Sequence, residues 1–139
     1  MNEIEKKMKQ IEELFKVKED GLHTEWYENG QKKEEGIIKN GEKDGLWTEW
    51  WQHNGQKRVE TTYKGGVWDG KLTEWHENGQ KEREATFKDD YMDGLAYLWH
   101  MNGKVRSVEF WKDEKVILGM EWDEDGELID WENENNRKI

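Results

Sequence analysis

Cysteine and proline are both missing from these 139 residues. Without cysteine there is no disulfide, no thiolate nucleophile and no sulfur-ligated zinc site. The lack of proline carries no functional meaning by itself. Apolar residues are also scarce: 32% of the chain is hydrophobic against 40% charged, a balance close to that of chains that stay disordered. Long apolar runs are absent. The N-terminal stretch MNEIEKKMKQIEELF is charged throughout, unlike a signal peptide, and nothing approaches the ~20 apolar residues of a membrane span. The expected location is therefore cytoplasmic. Positive charge is in deficit, with a formal net charge of −11 and a pI of about 4.9. Such a chain repels nucleic acid and anionic lipid and attracts basic proteins.

What the chain does have is tryptophan, ten residues of it, and it recurs at fixed spacing. Each buried aromatic removes roughly 150–250 Å² from water, so rings can replace aliphatic residues in a thin, elongated fold. The spacing reveals a repeat. Residues 20–43, 44–68, 69–92 and 93–116 are four copies opening on Gly21, Gly45, Gly70 and Gly94, and a partial copy covers 117–131. An extra residue in the second copy falls in WWQHNG, just before its turn.

Each copy reads as strand, tight turn, strand, wider turn. The tight turns are Asn29-Gly30, Asn54-Gly55, Asn78-Gly79, Asn102-Gly103 and Asp125-Gly126, the strongest short-range hairpin signal. The wider turns carry Asn40-Gly41, Gly65-Gly66 and the Asp-Gly pairs that open the copies. A three-residue loop with Gly30 in a left-handed bulge puts Trp26 and Ile38 on one face. That register gives an inner face of Leu22, Thr24, Trp26 and Ile38; Leu46, Thr48, Trp50 and Tyr63; Trp75 and Phe87; and Leu95, Tyr97, Trp99 and Trp111. Gly36, Thr61 and Ala85 face inward beside them, leaving room for the indoles. The Trp column is read as packing, with stability passed between neighbouring copies.

Residues 1–18 are read as a capping helix. Ile4, Met8, Ile11 and Phe15 recur at helical spacing, a stripe that covers the first hairpin or mediates self-association. The acidic end, 118–135, is expected to close the other side, and 132–139 is a polar tail.

The strings DGLHTEWYENGQKKEEG, DGLWTEWW with NGQK, and DGKLTEWHENGQKE, with the KNGEKDG connector, resemble MORN-variant repeats of the bacterial MORN-repeat antitoxin family. The resemblance covers roughly residues 20–131. It implies a curved antiparallel sheet and protein binding, with an antitoxin or immunity-like role in some members. The fourth copy departs from the pattern: Tyr97-Leu98 replaces Thr-Glu, and Gly103-Lys104 replaces Gly-Gln. The expected fold is all-β, an elongated antiparallel β-meander of nine or ten strands in MORN-like hairpin repeats, with one short N-terminal α-helix.

Catalysis is not expected. Of the four histidines only His76 and His100 share a repeat position, and they are read as surface polar residues, not metal ligands. A pair of catalytic carboxylates needs one in an apolar pocket to split the two pKa values, and a single-layer sheet offers few. No nucleophile–base arrangement or phosphate-cradling loop is visible. No cofactor and no metal are expected.

The outer face is expected to bind. Strand positions alternating with the Trp column carry Glu25, Tyr27, Trp47, Glu49, Trp51, Glu74 and His76, with Trp68 nearby. Trp and Tyr favour interface hot spots, and carboxylates select basic partners. The acidic run within 113–135 adds a negative surface fit for the groove of a nucleic-acid-acting protein. The reading is an antitoxin- or immunity-type inhibitor that masks a basic protein, a nuclease or toxin, without touching nucleic acid or membrane. Its alternatives are a phage- or mobile-element-encoded inhibitor of a bacterial defence nuclease, of anti-CRISPR character; a structural scaffold; and a carbohydrate-binding repeat.

Overall fold

The structure is a computed structural model and describes residues 1–14 and 19–133. Ten strands form one sheet in chain order, each antiparallel to the next. They are β1 (Gly21–Trp26), β2 (Lys32–Lys39), β3 (Glu42–Trp50), β4 (Lys57–Lys64), β5 (Val67–Trp75), β6 (Lys81–Lys88), β7 (Tyr91–Trp99), β8 (Val105–Lys112), β9 (Lys115–Trp122) and β10 (Leu128–Asn133). The all-β meander expected from the repeat is therefore what the chain forms. The acidic end is no separate cap, because β9 and β10 make it the last hairpin.

One helix, α1 (Glu3–Leu14), precedes the sheet. Asn2 and Glu5 form a reciprocal capping box: the Glu5 N–H donates to Asn2 Oδ1 at 2.8 Å, and the Asn2 N–H donates to Glu5 Oε2 at 3.0 Å. Ile4, Met8 and Ile11 are all exposed, and Phe15 lies outside the described residues.

The Asn-Gly turns have the expected bulged form. The Tyr27 N–H donates to the Gln31 carbonyl, the Gly30 N–H donates to the Tyr27 carbonyl, and Gly30 sits at φ 87°. The second copy closes with Trp51 N–H on the Gln56 carbonyl, so its loop absorbs the extra residue. The supposed wider turns are the tighter ones. Only Asn40 and Gly41 separate β2 from β3, both at positive φ (52° and 77°), as a two-residue hairpin requires. The Asp-Gly pairs are not turns at all. Asp44-Gly45 lies inside β3, where the register against β2 shifts, and the Asp44 carboxylate accepts from Gly65 N–H in the next turn.

The face assignment from the sequence is inverted in part. Trp26 pairs with Lys32, as a three-residue loop demands, but Glu25 then pairs with Glu34. Lys33 is passed over, two residues opposing one. Arg58, Glu82, Arg106 and Ile129 are passed over in the same way. Each skip turns the rest of the second strand through one side-chain position. Ile38, Tyr63, Phe87 and Trp111, with Gly36, Thr61 and Ala85, therefore share a face with Trp47, Leu72 and Ala96. Leu22, Leu46 and Leu95 lie on the opposite, exposed face beside Thr24, Thr48, Tyr97 and the tryptophans 26, 50, 75 and 99.

The core is the row that crosses the sheet as Gly36, Trp47, Thr61, Leu72, Ala85 and Ala96. Trp47 and Leu72 are each 2% exposed. A Cβ on Gly36 would lie 2.2 Å from the Trp47 ring, so the indole rests directly on the glycine backbone. Its N–H donates to the Ile37 carbonyl at 3.1 Å, and Lys43 Nζ lies 4.2 Å above the ring.

Candidate functional site

The residues expected to bind a partner do share a face, but most of their chemistry is satisfied within the chain. Trp47 is core. Glu49 is bonded to Arg58. Glu74 holds Arg83 through two hydrogen bonds, 2.8 and 3.0 Å long, which keep the guanidinium more firmly protonated than usual. Glu25 is half-buried beside His23 at 3.4 Å. Trp68 is half-buried edge-on to Phe87, with ring centres 4.9 Å apart.

Tyr27 and His76 are connectors between copies. The Tyr27 hydroxyl donates to the Trp50 carbonyl at 2.7 Å, and His76 and His100 place Nε2 at 2.9 Å from the carbonyls of Trp99 and Trp122. Carbonyls only accept, so these imidazoles donate through Nε2. The histidines at this position are structural, not free surface groups. Trp51 holds the same place in the second copy, whose turn is one residue longer. Its ring lies tilted against His53 with Arg58 over it, and its indole N–H is buried with no partner among the described residues.

Sequence reasoning missed a second set of connectors. Asn29, Asn54, Asn78 and Asn102 donate through Nδ2 to the carbonyls of Gln52, Glu77, Met101 and Glu124, one copy onward. Gln31, Gln56 and Gln80 lie against Gly55, Gly79 and Gly103 of the following copy. The recurring N-G-Q string was the available signal, since a hairpin loop alone does not need the glutamine.

On the opposite face, copies one to three carry a polar row. Thr24 and Glu35, Thr48 and Glu60, and Thr73 and Glu84 are cross-strand pairs. Lys32, Lys57 and Lys81 bind these glutamates and also lie 5.7–5.9 Å over the rings of Trp50, Trp75 and Trp99. Hydrogen bonds from Lys32 and Thr24 hold the Glu35 carboxyl below its ordinary value. Burial pushes Glu84 up, but hydrogen bonds and attraction from Lys71 and Lys81 outweigh it and leave a net lowering.

Copies four and five replace that row. Tyr97, Val108 and Met120 stand side by side where the earlier copies have Thr and Glu. In the next row Leu95, Phe110 and Leu118 are paired directly. Leu95, Phe110, Leu118 and Met120 are all exposed, between 37% and 47%. This is a continuous apolar patch on β7, β8 and β9.

A single-sheet array of stacked hairpins is thus the class of protein the fold defines. Residues 19–40 and 68–89 match the family described as MORN repeat variant. Two of the copies therefore carry that repeat. Among solved structures, the crystal structure of TarM aligns with 97% of this chain and 23% of its own, at 10% identity and a TM-score of 0.45. The accessory secretory protein 1, 2 and 3 structure from Streptococcus pneumoniae aligns with 87% of this chain and 18% of its own, at 15% identity and a TM-score of 0.27. The chain spans less than a quarter of either. No curated protein matches the chain.

Proposed function

We propose that this chain is a non-catalytic module that binds another protein, of the antitoxin or immunity-inhibitor type, and that its partner is basic and acts on nucleic acid. The observation that carries this reading is the apolar patch of Leu95, Tyr97, Val108, Phe110, Leu118 and Met120. Elsewhere that face carries threonine, glutamate and lysine in mutual contact, with the exposed Leu22–Ile37 pair and Leu46 beside them; here two neighbouring rows are apolar across three strands. Patches of this kind mark interaction sites, and aromatic and methionine side chains are enriched in interface cores. The basic partner follows from the net charge of −11, which steers association towards a positive surface. An inhibitor of a defence nuclease would use the same chemistry on a different target.

The test is capture at low salt followed by reconstitution with the purified partner. Association should slow steeply as salt rises, because the screening length shrinks to about 3 Å at 1 M. Changing Phe110 and Leu118 to lysine should raise the dissociation rate at least tenfold with little change in the fold's melting temperature. An acidic partner, or complexes that ignore both salt and these substitutions, would sink the proposal.

A further inference from the structure

The second, third and fourth copies are each held by the turn of the copy before, and the holding groups come from one short string. In the first copy it runs from Tyr27 to Lys32. Tyr27 and Asn29 donate to the carbonyls of Trp50 and Gln52, Gln31 lies against Gly55, and Lys32 lies over the Trp50 ring. The third copy treats the fourth in the same way. His76 and Asn78 donate to the carbonyls of Trp99 and Met101, Gln80 lies against Gly103, and Lys81 lies over the Trp99 ring. In the second copy Trp51 takes the tyrosine's place, yet Asn54, Gln56 and Lys57 still reach Glu77, Gly79 and Trp75.

The first copy has the same receiving groups, and they are open. The carbonyls of Trp26 and Glu28 stand where those of Trp50 and Gln52 stand, and no side chain among the described residues bonds to them. A Cβ on Gly30 would meet nothing within 4 Å, whereas Gly55, Gly79 and Gly103 each face a glutamine. Trp26 is 58% exposed, with no cation over its ring among the described residues. Trp50, Trp75 and Trp99 are half-buried, each with a lysine over it. β1 is also the end strand of the sheet, and such an edge presents backbone N–H and carbonyl groups to a further strand.

We propose that the β1 edge is the seat of a β-hairpin from a separate protein, whose turn reads Tyr or His, any residue, then Asn-Gly-Gln-Lys. The incoming strand extends the sheet through backbone hydrogen bonds. Its Tyr or His and its Asn donate to the Trp26 and Glu28 carbonyls, its Gln covers Gly30, and its Lys lies over Trp26. One string carries all four groups at the spacing the receiving copy requires. The last hairpin of a second copy of this chain lacks it, since residues 123–128 read Asp-Glu-Asp-Gly-Glu-Leu. The seat lies at the other end of the strand order from the apolar patch on β7, β8 and β9, and it needs no basic partner.

The test is an NMR titration of the full chain with a backbone-cyclised peptide that has the sequence of residues 71–88. Cyclisation keeps its strands paired, which cross-strand proton contacts verify before mixing. Saturable shifts are expected at the amides of Leu22, Thr24 and Gly30, and not in β10. The same peptide with Asn78→Ala and Gln80→Ala keeps its charge and should bind at least tenfold more weakly, since the lost groups leave a carbonyl and the Gly30 surface uncovered. Trp26→Ala in the full chain should weaken binding of the parent peptide at least threefold while the amide signals of Trp47 and of β9 stay in place, which reports an intact sheet. Absence of saturable binding by the folded parent peptide, shifts in β10 as large as those in β1, or equal binding by the substituted peptide would overturn the seat.

Discussion

The second copy and the fifth share a backbone and little else. In the second, Trp47 lies on Gly36 of the first copy, and Glu49 is held by Arg58. In the fifth, the equivalent positions are Gly119 and Glu121, with no indole and, among the described residues, no matching cation. The hairpin turn itself survives in the fifth copy in the form the first copy has: Gly126 stands at φ 91° and bonds to the Asp123 carbonyl much as Gly30 bonds to Tyr27, while the second copy closes a turn one residue longer. The difference separates two jobs. Turns and their links specify that a hairpin will stack, while the residues along the strands decide whether its face is filled, paired or left open.

The sharpest way to break this comparison is to empty the second copy. Trp47→Ala removes a 2%-exposed indole and should cost about 3–5 kcal/mol, read from chemical denaturation. Because each copy leans on its neighbours, the loss should spread to hairpins one and three and leave amide-exchange protection in β9 and β10 nearly unchanged. Uniform loss across all ten strands would mean the array unfolds as one block.

Next in size is a matched glycine pair. Gly36→Ala drives a methyl into the Trp47 ring at 2.2 Å and should destabilise by about 1–3 kcal/mol, as overpacking does. Gly119→Ala should change stability by no more than about 1 kcal/mol and towards greater stability, since its methyl fits and the unfolded chain loses freedom. Similar melting temperatures for the two variants would show that a methyl at Gly119 does not fit, where it should meet only Val116 Cγ1 at 3.5 Å and Glu109 Cγ at 3.8 Å.

The smallest effect is an acid one. Glu35 and Glu84 titrate below the ordinary value of 4.5, so the folded state holds their protons less tightly than the unfolded chain. Their contribution is present above that pH and lost as pH falls through the lowered folded values. Both groups are partly open to water, and for Glu84 screening limits the effect to about 0.2–1 kcal/mol. Glu84→Gln should flatten the fall in melting temperature below pH 4.5. Val108 occupies the same place in the fourth copy, so Val108→Gln should leave that slope untouched.

Much of this was legible in the amino acids. The copies, the strand order and the bulged Gly30 turn follow from periodic glycines and aromatics. The passed-over residues Lys33, Arg58, Glu82 and Arg106 were not legible, because a two-on-one bulge accepts Lys, Arg or Glu equally and leaves no mark in composition. One clue was present: small Gly36, Thr61 and Ala85 need large neighbours across the next strand gap, and Trp47 and Leu72 stand in phase with them. The outward reading of Trp47 followed from missing that skip. The fourth copy's Tyr97-Leu98 was visible as a departure, but its meaning was not. A patch appears only when Val108, Phe110, Leu118 and Met120 are laid alongside, and that needs the pairing of β7, β8 and β9.

The links between turns also give the sheet a direction. Tyr27, His76 and His100 and the asparagines at 29, 54, 78 and 102 all give a hydrogen forward, from an earlier copy to a carbonyl of the next. At the fifth copy the donors end. Asp123 and Asp125 take the histidine and asparagine places, and the Asp123 carboxylate turns back to accept the N–H groups of Asp125 and Glu127 in its own loop. A sixth hairpin laid against β10 would bring carbonyl oxygen to carboxylate oxygen. The last turn therefore acts as a stop signal for stacking, and it makes that edge a poor template for the strand of a neighbouring molecule.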